Sequence, residues 1–292
     1  LAAKDNDDIN AFDDAFFGHA GLIFGNAARA FTQALGLGRA DVPFDSASRK
    51  YAQAVARFSA AFGLCSDAAM TTLGSELKMR ELISARLGDM LSNLYLASMV
   101  LKNWHETQPV EGEKEVMEYS LGMLLHRTET ALDEFLQTLP NRAVALVLRG
   151  VTMPLGRRWG SPQDDLARKL ARAISTDTPI RNKLIASIWH TNGEGTVENP
   201  VARYNGLLKD YDKAEQLYRK ATKAYAKGEL PMTALHPEER FEAALKAGIY
   251  TKEEADFMRQ YETVVLEMLT VDDFPFDEFA RNKETVIDHN PA

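Results

Sequence analysis

Apolar residues recur at alternating spacings of four and three along most of residues 1–140, which is the pattern of an amphipathic α-helix. The clearest stretch lies between Arg80 and Trp104. Its main seam consists of Ile83, Leu87, Met90, Leu94, Ala97, Leu101 and Trp104. A second stripe consists of Leu82, Leu91, Leu96 and Met99 or Val100. Because apolar residues cover so much of its circumference, this helix is predicted to be buried on several sides.

The segments before and after this stretch, residues 51–69 and 117–135, show the same helical period. Residues 108–112 contain a proline and a glycine, which predicts a break between the second and third helices. Three long helices with short connections favour an antiparallel bundle. Since no segment alternates with the period of a β-strand, the predicted fold class is all-α.

The sequence pattern changes after Pro140, where the segments of helical period become shorter and carry clear capping signals. One example is the capping box formed by Thr251 and Glu254. The change predicts a boundary near Pro140. Residues 1–140 would form the antiparallel bundle of long helices, and residues 141–292 would form a C-terminal extension of shorter helices.

The N-terminal segment is also predicted to be helical. Three glycines at spacings of three and four suggest a small-residue face for close helix packing: Gly18, Gly21 and Gly25. Four aromatic residues also fall near helical spacings: Phe16, Phe17, Phe24 and Phe31. We interpret this aromatic stripe as core rather than as the lining of an acyl-chain tunnel.

Composition excludes several classes of protein. The 292 residues include 34 Lys and Arg against 42 Asp and Glu, so the net charge of −8 argues against general nucleic-acid binding. The single cysteine, Cys65, excludes an intramolecular disulfide and a cysteine-based zinc cluster. No apolar run is long enough to span a bilayer. Because the chain begins at Leu1 rather than at Met, we expect a processed chain or an excised fragment.

Searches for local catalytic motifs find none. Gly-rich nucleotide cradles, the GxSxG elbow and the Glu-x-x-His pair of di-iron bundles are all absent. His126 and Glu129 lie one helical turn apart and are interpreted as incidental neighbours rather than metal ligands. Arg86 and Asp89, three residues apart, are interpreted as an intrahelical or interhelical ion pair at a buried contact rather than as a cofactor or substrate contact. The sequence thus predicts no catalytic residue and no metal site.

The segment from Arg142 to Lys183 is unusually basic for this acidic chain. It contains nine Lys and Arg residues and three acidic residues, so its net charge is +6. Its first part combines apolar residues with arginines and a tryptophan, a composition typical of a helix in a membrane interface. Candidate residues for membrane or partner contact are Val144, Leu148, Arg149, Leu155, Arg157, Arg158 and Trp159. The alternative is a buried helix whose arginines pair with acids elsewhere in the fold, which the acidic remainder of the chain allows.

Several strings resemble a known family. They are Asn10–Asp13 with the Gly-His and Gly-Asn steps at 18–19 and 25–26, residues 82–102, Leu139–Arg142, Pro154–Arg157 and the tail Val271–Phe274. In this order they resemble the C-terminal region of the large bacterial acyl-CoA dehydrogenases of fatty-acid degradation.

The resemblance implies a flavin enzyme of long-chain acyl-CoA oxidation. In that family a glutamate removes the α-proton, FAD accepts the hydride, and an electron-transfer flavoprotein reoxidises the flavin. The glutamate lies in a longer, Glu-Gly-containing motif upstream of the matched region, and none of the family's upstream motifs is visible in this sequence. No catalytic or flavin-binding residue is therefore carried over, and FAD is expected in the complete enzyme rather than on this chain alone.

Two functional hypotheses follow. In the first, the chain is the structural, C-terminal helical portion of the dehydrogenase and serves dimer or membrane contact. The resemblance then implies a homodimer in the bacterial cytoplasm, with peripheral contact at the inner membrane and no nucleic-acid partner. In the second, the chain is a stand-alone helical module that binds lipid or protein.

Overall fold

The structure is a computed structural model that describes residues 9–37, 42, 45–188, 200–231 and 237–269. The described residues contain no β-strand, and the predicted all-α fold is confirmed. The chain divides into two compact units, Leu1–Arg172 and Ala173–Ala292. The tail Val271–Phe274, which contributed to the family resemblance, lies outside the described residues.

The helices of the first unit are mostly long. They are α1 (Ile9–Ala34), α2 (Arg49–Leu73), α3 (Glu81–Glu106), α4 (Glu113–Thr138), α5 (Arg142–Thr152) and α6 (Asp164–Ser175), the last of which extends past Arg172. A 3-10 turn, Gly74–Lys78, connects α2 to α3. The helices of the second unit are α7 (Pro179–Ile185), α8 (Pro200–Leu207), α9 (Tyr211–Ala226), α10 (Pro237–Lys246) and α11 (Lys252–Leu269).

Helices α3 and α4 form the most extensive helix pair of the first unit. Only a short connection joins them, so they run in opposite directions. Gly112 caps α4 with a φ of 84°, a left-handed backbone that glycine adopts without strain. The Glu113 carboxylate accepts a hydrogen bond of 2.9 Å from the Val110 amide and closes this turn. The break predicted at residues 108–112 is therefore confirmed.

The main seam of α3 is buried as predicted, with Trp104 half-buried at its end. The second stripe is mostly exposed. Leu82, Leu91, Leu96 and Met99 are 72%, 53%, 50% and 41% exposed, whereas Val100, the alternative to Met99, is half-buried and packs against the core. The prediction of burial on several sides was wrong for the described chain, because its helices cover only one side of α3.

The buried residues of α1, Asn26, Ala30 and Ala34, all lie in its C-terminal half, and nearer its N-terminus His19 Nε2 lies 3.7 Å from Asp67 Oδ1 on α2. The close approach to α2 occurs at Gly63, where an added Cβ would lie 2.9 Å from Asn26 Nδ2. Among the described residues, no neighbouring atom lies within 4 Å of a Cβ built on Gly18, Gly21 or Gly25. The predicted small-residue face was therefore wrong, since helix packing uses alanines and an asparagine further along α1.

The aromatic stripe of α1 was also misassigned to the core. Phe16, Phe17, Phe24 and Phe31 are 58%, 68%, 75% and 41% exposed. The residues that α1 buries in the core are Asn26, Ala30 and Ala34 instead.

Helix α5 belongs to the first unit by its contacts, since it packs against α1, α2 and α4. The sequence places the boundary near Pro140, whereas the division of the chain into compact units falls after Arg172. Ala145, Leu148 and Thr152 are buried on one face of α5 and attach it to the long helices. A shorter helix can thus belong to the same core as the long ones.

The second unit has its own core. It is formed mainly by Ala214, Leu217, Ala224, Phe241, Ala244, Tyr250, Ala255, Met258 and Tyr261. The predicted capping box begins α11: the Glu254 amide donates to Thr251 Oγ1 at 3.2 Å, and the Thr251 amide donates to the Glu254 carboxylate at 2.9 Å.

Candidate functional site

The candidate site begins at α5, where the side chain of Asn141 accepts a hydrogen bond from the Val144 amide and caps the helix. The face opposite the core presents Leu146 and Val147, which are 72% and 66% exposed. These two residues were not among the sequence candidates. Their spacing from Ala143 and Gly150 is that of one helical face, and this period was the signal that could have identified them.

The sequence candidates occupy different environments. Val144 and Trp159 are half-buried, Leu148 is buried, and Leu155 is exposed. The ring of Trp159 lies 5.7 Å from that of Tyr51, centroid to centroid. The apolar part of a surface contact would therefore come from Leu155 together with the exposed face of α5, rather than from Leu148.

Each of the three candidate arginines donates a hydrogen bond within the chain. Arg149 Nη2 lies 2.5 Å from Asp133 Oδ1, and Arg157 Nη2 lies 2.6 Å from Thr130 Oγ1. Arg158 Nη1 lies 2.9 Å from the Ala34 carbonyl oxygen, at the end of α1. The structure thus shows for Arg149 the ion pair that the alternative hypothesis described. Membrane or partner contact by this segment remains a prediction.

A buried carboxylate holds the loop after α5. Glu129 is fully buried on α4, and its Oε2 accepts hydrogen bonds from the backbone amides of Arg158 at 2.8 Å and Trp159 at 2.7 Å. One turn earlier on α4, His126 Nδ1 lies 2.9 Å from the Trp159 carbonyl oxygen. His126 and Glu129 therefore both contact the backbone of Trp159, so their one-turn spacing has a structural role.

Arg57 on α2 is the ionic partner of Glu129. Its Nη2 lies 4.0 Å from Glu129 Oε1, and the two side chains are 7% and 0% exposed. The same nitrogen donates a 3.0 Å hydrogen bond to the Thr152 carbonyl. Burial lowers the pKa of Arg57, Glu129 opposes this shift, and the charge of Arg158 adds to it. An arginine nevertheless keeps its charge near neutral pH.

The pair is incompletely satisfied within the described chain, since Arg57 Nε and Glu129 Oε1 are buried without a hydrogen-bond partner there. The sequence pattern does not indicate this pair, because the two residues lie on different helices and far apart in the chain. The only local signal is that Arg57 is the single charged residue between Tyr51 and Ser66.

The predicted pairing of Arg86 with Asp89 needs correction. Arg86 Nε lies 3.4 Å from Glu134 Oε2 on α4, and its Nη1 donates to the Leu82 carbonyl at 3.0 Å. Arg86 therefore forms an interhelical ion pair, but its partner is Glu134 rather than Asp89.

Among the described helices, α1 carries the most exposed large apolar side chains. Besides the four phenylalanines, Ile9, Phe12 and Leu22 are 73%, 49% and 52% exposed. The rings of Phe12 and Phe16 stack with centroids 6.3 Å apart. Among the described helices, none has a stretch long and apolar enough to cross a bilayer.

Taken together, the fold and these surfaces define a helical domain with a structural ionic pair and unpartnered apolar faces. Within the described residues, no group of three or more His, Cys, Asp or Glu side chains could hold a metal ion. The chain belongs to the family described as acyl-CoA dehydrogenase, C-terminal, bacterial type, whose model matches residues 1–274. No solved structure matches the chain.

Proposed function

We propose that this chain is the non-catalytic, C-terminal helical portion of a flavin-dependent dehydrogenase of long-chain acyl-CoA. Membership in the acyl-CoA dehydrogenase family supports the class of enzyme. FAD, the acyl-CoA and the electron-transfer flavoprotein would be bound by the complete enzyme, in the bacterial cytoplasm. The role of this chain would be to make contacts with another subunit and, peripherally, with the inner membrane.

The observation that carries the proposal is the exposed aromatic face of α1. Exposed apolar side chains are normal one at a time, whereas a contiguous set marks a surface that another partner covers. Seven large apolar residues are exposed along α1, and a further stripe is exposed on α3. Phenylalanine-rich surfaces of this kind suit protein contacts, because each ring buries a large apolar area. We assign α1 to the subunit contact.

A second surface suits the membrane contact. Leu146, Val147 and Leu155 expose apolar side chains, and Arg157 lies beside Leu155 in the chain. An apolar face bordered by cations is typical of segments that lie on an anionic bilayer. Because Arg149 and Arg157 are already hydrogen-bonded within the chain, the apolar residues would carry more of this contact than the sequence suggested.

Analytical ultracentrifugation tests the subunit contact. We expect the chain to self-associate, and the triple substitution Phe16→Ser, Phe17→Ser, Phe24→Ser to leave a monomer. The matched control is Met79→Ser, which removes a residue 84% exposed from a different surface and should leave association unchanged. A monomeric parent chain that also fails to bind the dehydrogenase portion would contradict the assignment of α1.

Two further measurements test the remaining parts of the proposal. A pure preparation should show no flavin absorption and no oxidation of palmitoyl-CoA, and turnover by this chain alone would overturn its non-catalytic role. Sedimentation with phosphatidylglycerol vesicles should fall after Leu146→Ser with Val147→Ser. Unchanged sedimentation would remove α5 from the membrane contact.

A further inference from the structure

A cleft in the first unit lies apart from the apolar surfaces. It has a volume of about 420 Å³ and lies where the end of α1, the first half of α2 and the loop after α5 meet. Its polar and aromatic lining consists of Gln33, Lys50, Gln53, Arg57, Arg158 and Trp159. The volume is in the range of small-molecule sites, about 300–1,000 Å³.

The lining of the cleft is strongly one-sided in charge. Three cationic side chains line it, Lys50, Arg57 and Arg158, and no acidic residue does. The carboxylate closest to Arg57 is that of Glu129, whose Oε2 is occupied by two backbone amides and whose Oε1 lies 4.0 Å from Arg57 Nη2. The lining itself therefore presents three cations and no carboxylate.

The electrostatics of Arg57 agree with this excess of positive charge. Arg158 lowers the pKa of Arg57, which means that the two guanidinium groups repel each other across the cleft region. An anion placed among the three cations would relieve this repulsion. It would also gain from partial exclusion of water, because charge interactions strengthen in a desolvated site.

The cleft also has unused hydrogen-bonding capacity. Arg57 Nε is buried and has no partner in the described chain, and the side chain as a whole is 7% exposed. Arg158 uses one of its five N–H groups on the Ala34 carbonyl. Gln33 Oε1 is a buried acceptor without a partner, so it could accept from a hydroxyl group of a ligand.

We propose that this cleft binds a phosphate ester, with Lys50, Arg57 and Arg158 around the phosphate oxygens and Trp159 beside the organic part. Arginine suits this chemistry, because its planar fork of donors matches phosphate oxygens. The ester is either a soluble metabolite or the headgroup of a lipid, and both present the same oxyanion. The site is separate from the α1 surface assigned to subunit contact.

Isothermal titration calorimetry of the full chain tests the proposal, at constant ionic strength balanced with sodium chloride. The soluble probe is inorganic phosphate, and the lipid probe is phosphatidylcholine vesicles with or without phosphatidic acid. We expect saturable one-to-one binding of one of these probes. Lys50→Gln and Arg158→Gln should each raise the Kd by about tenfold, the effect of losing one charge-assisted contact.

Arg80→Gln is the matched control, because Arg80 is an exposed arginine of the same unit that pairs with Glu76 outside the cleft. Its Kd should equal that of the parent chain, and circular dichroism should show all variants folded. Lys50 is exposed, so its variant tests the site even where Arg158→Gln disturbs the end of α1.

The titrations with inorganic phosphate and with vesicles distinguish a soluble phosphate ester from a lipid headgroup. Binding of inorganic phosphate without a preference for phosphatidic acid supports a soluble ester, and binding of phosphatidic acid vesicles alone supports a lipid headgroup. Absence of binding in both arms would overturn the proposal. Equal weakening by Lys50→Gln and Arg80→Gln would also overturn it, because general charge attraction would then explain the affinity.

Discussion

The two compact units bury polar groups in different ways. In the first unit Arg57, Glu113 and Glu129 are buried, and Glu129 joins α4 both to α2 and to the loop at residues 158–159. In the described part of the second unit, no charged residue is buried, and the hydroxyls of two tyrosines make hydrogen bonds at its core. Tyr250 donates a 2.6 Å hydrogen bond to the Leu217 carbonyl, and Tyr218 bonds to Glu262.

This difference in buried polar groups indicates how each unit achieves a specific packing. A buried charge is costly without its partners, so the ionic pair favours the one arrangement in which α2, α4 and the loop all meet. A tyrosine contributes a large apolar body and needs only one partner for its hydroxyl. We therefore expect the first unit to be sensitive to the loss of single charges, and the second to respond more gradually.

The largest effect is expected for Glu129→Ala. Removing this carboxylate leaves Arg57 buried without a counter-charge and two amides unpaired, which should cost about 3–5 kcal/mol of unfolding free energy. Urea denaturation followed by the fluorescence of the tryptophans measures it. The control is Glu134→Ala, whose side chain is 53% exposed and should cost far less. A loss below about 1 kcal/mol for Glu129→Ala would contradict a structural role for the pair.

The double variant Arg57→Leu with Glu129→Leu sharpens the comparison. Replacing both members of a buried pair by apolar residues is often neutral or stabilising, so it should be clearly more stable than Glu129→Ala. If instead the double variant were the less stable of the two, the hydrogen bonds of Glu129 to the loop amides would outweigh its pairing with Arg57. The double-mutant cycle separates these contributions.

An intermediate effect is expected for Tyr250→Phe in the second unit. The change removes the hydrogen bond from Tyr250 to the Leu217 carbonyl, which keeps its helical partner within α9, and should cost about 0.5–1.5 kcal/mol. The substitution should also change how the stability of the protein depends on pH above about pH 9. Burial raises the pKa of Tyr250 to about 12, whereas a tyrosine in the unfolded chain ionises near a pKa of about 10.

The pH dependence follows from this shift. Above about pH 10 the unfolded chain loses the Tyr250 proton while the folded chain keeps it, so stability falls as the pH rises. Thermal denaturation between pH 9 and pH 11 should show a shallower decline for Tyr250→Phe than for the parent chain. Parallel declines would show that this hydroxyl is not the titrating group.

The smallest effect is expected at the surface of the second unit. Lys220 Nζ lies 2.8 Å from Glu254 Oε2, and both side chains are partly exposed. Lys220→Gln should cost about 0.2–1 kcal/mol, less at high salt. The hydrogen bond from Lys220 holds the pKa of Glu254 below its ordinary value, so this contribution is lost as the pH falls through that lowered pKa. A cost above that of Tyr250→Phe would reverse the expected order.

Local patterns predicted the parts of the fold that depend on neighbours in sequence. The seam from Ile83 to Leu101, the break before Glu113 and the Thr251 capping box are all confirmed, because each is set by residues within a few turns. The Arg57–Glu129 pair could not be found in this way, since its two residues meet only through tertiary packing.

The exposed stripes on α1 and α3 illustrate a second limit. Helical periodicity shows that a face is apolar, but the same pattern arises whether the covering partner belongs to the same chain or to another. Phe16 and Phe24 were predicted to be core for this reason, and the structure leaves them exposed. The misassignment is therefore informative about where a partner is needed.

The aromatic face of α1 has a practical consequence for handling the protein. Dyes such as ANS fluoresce when they bind exposed apolar surface, and their binding is commonly taken as a sign of a molten globule. Here the stacked rings of Phe12 and Phe16 offer such a surface on an intact helix. The folded chain should therefore bind ANS while keeping its near-ultraviolet circular dichroism, and an added partner that covers α1 should displace the dye.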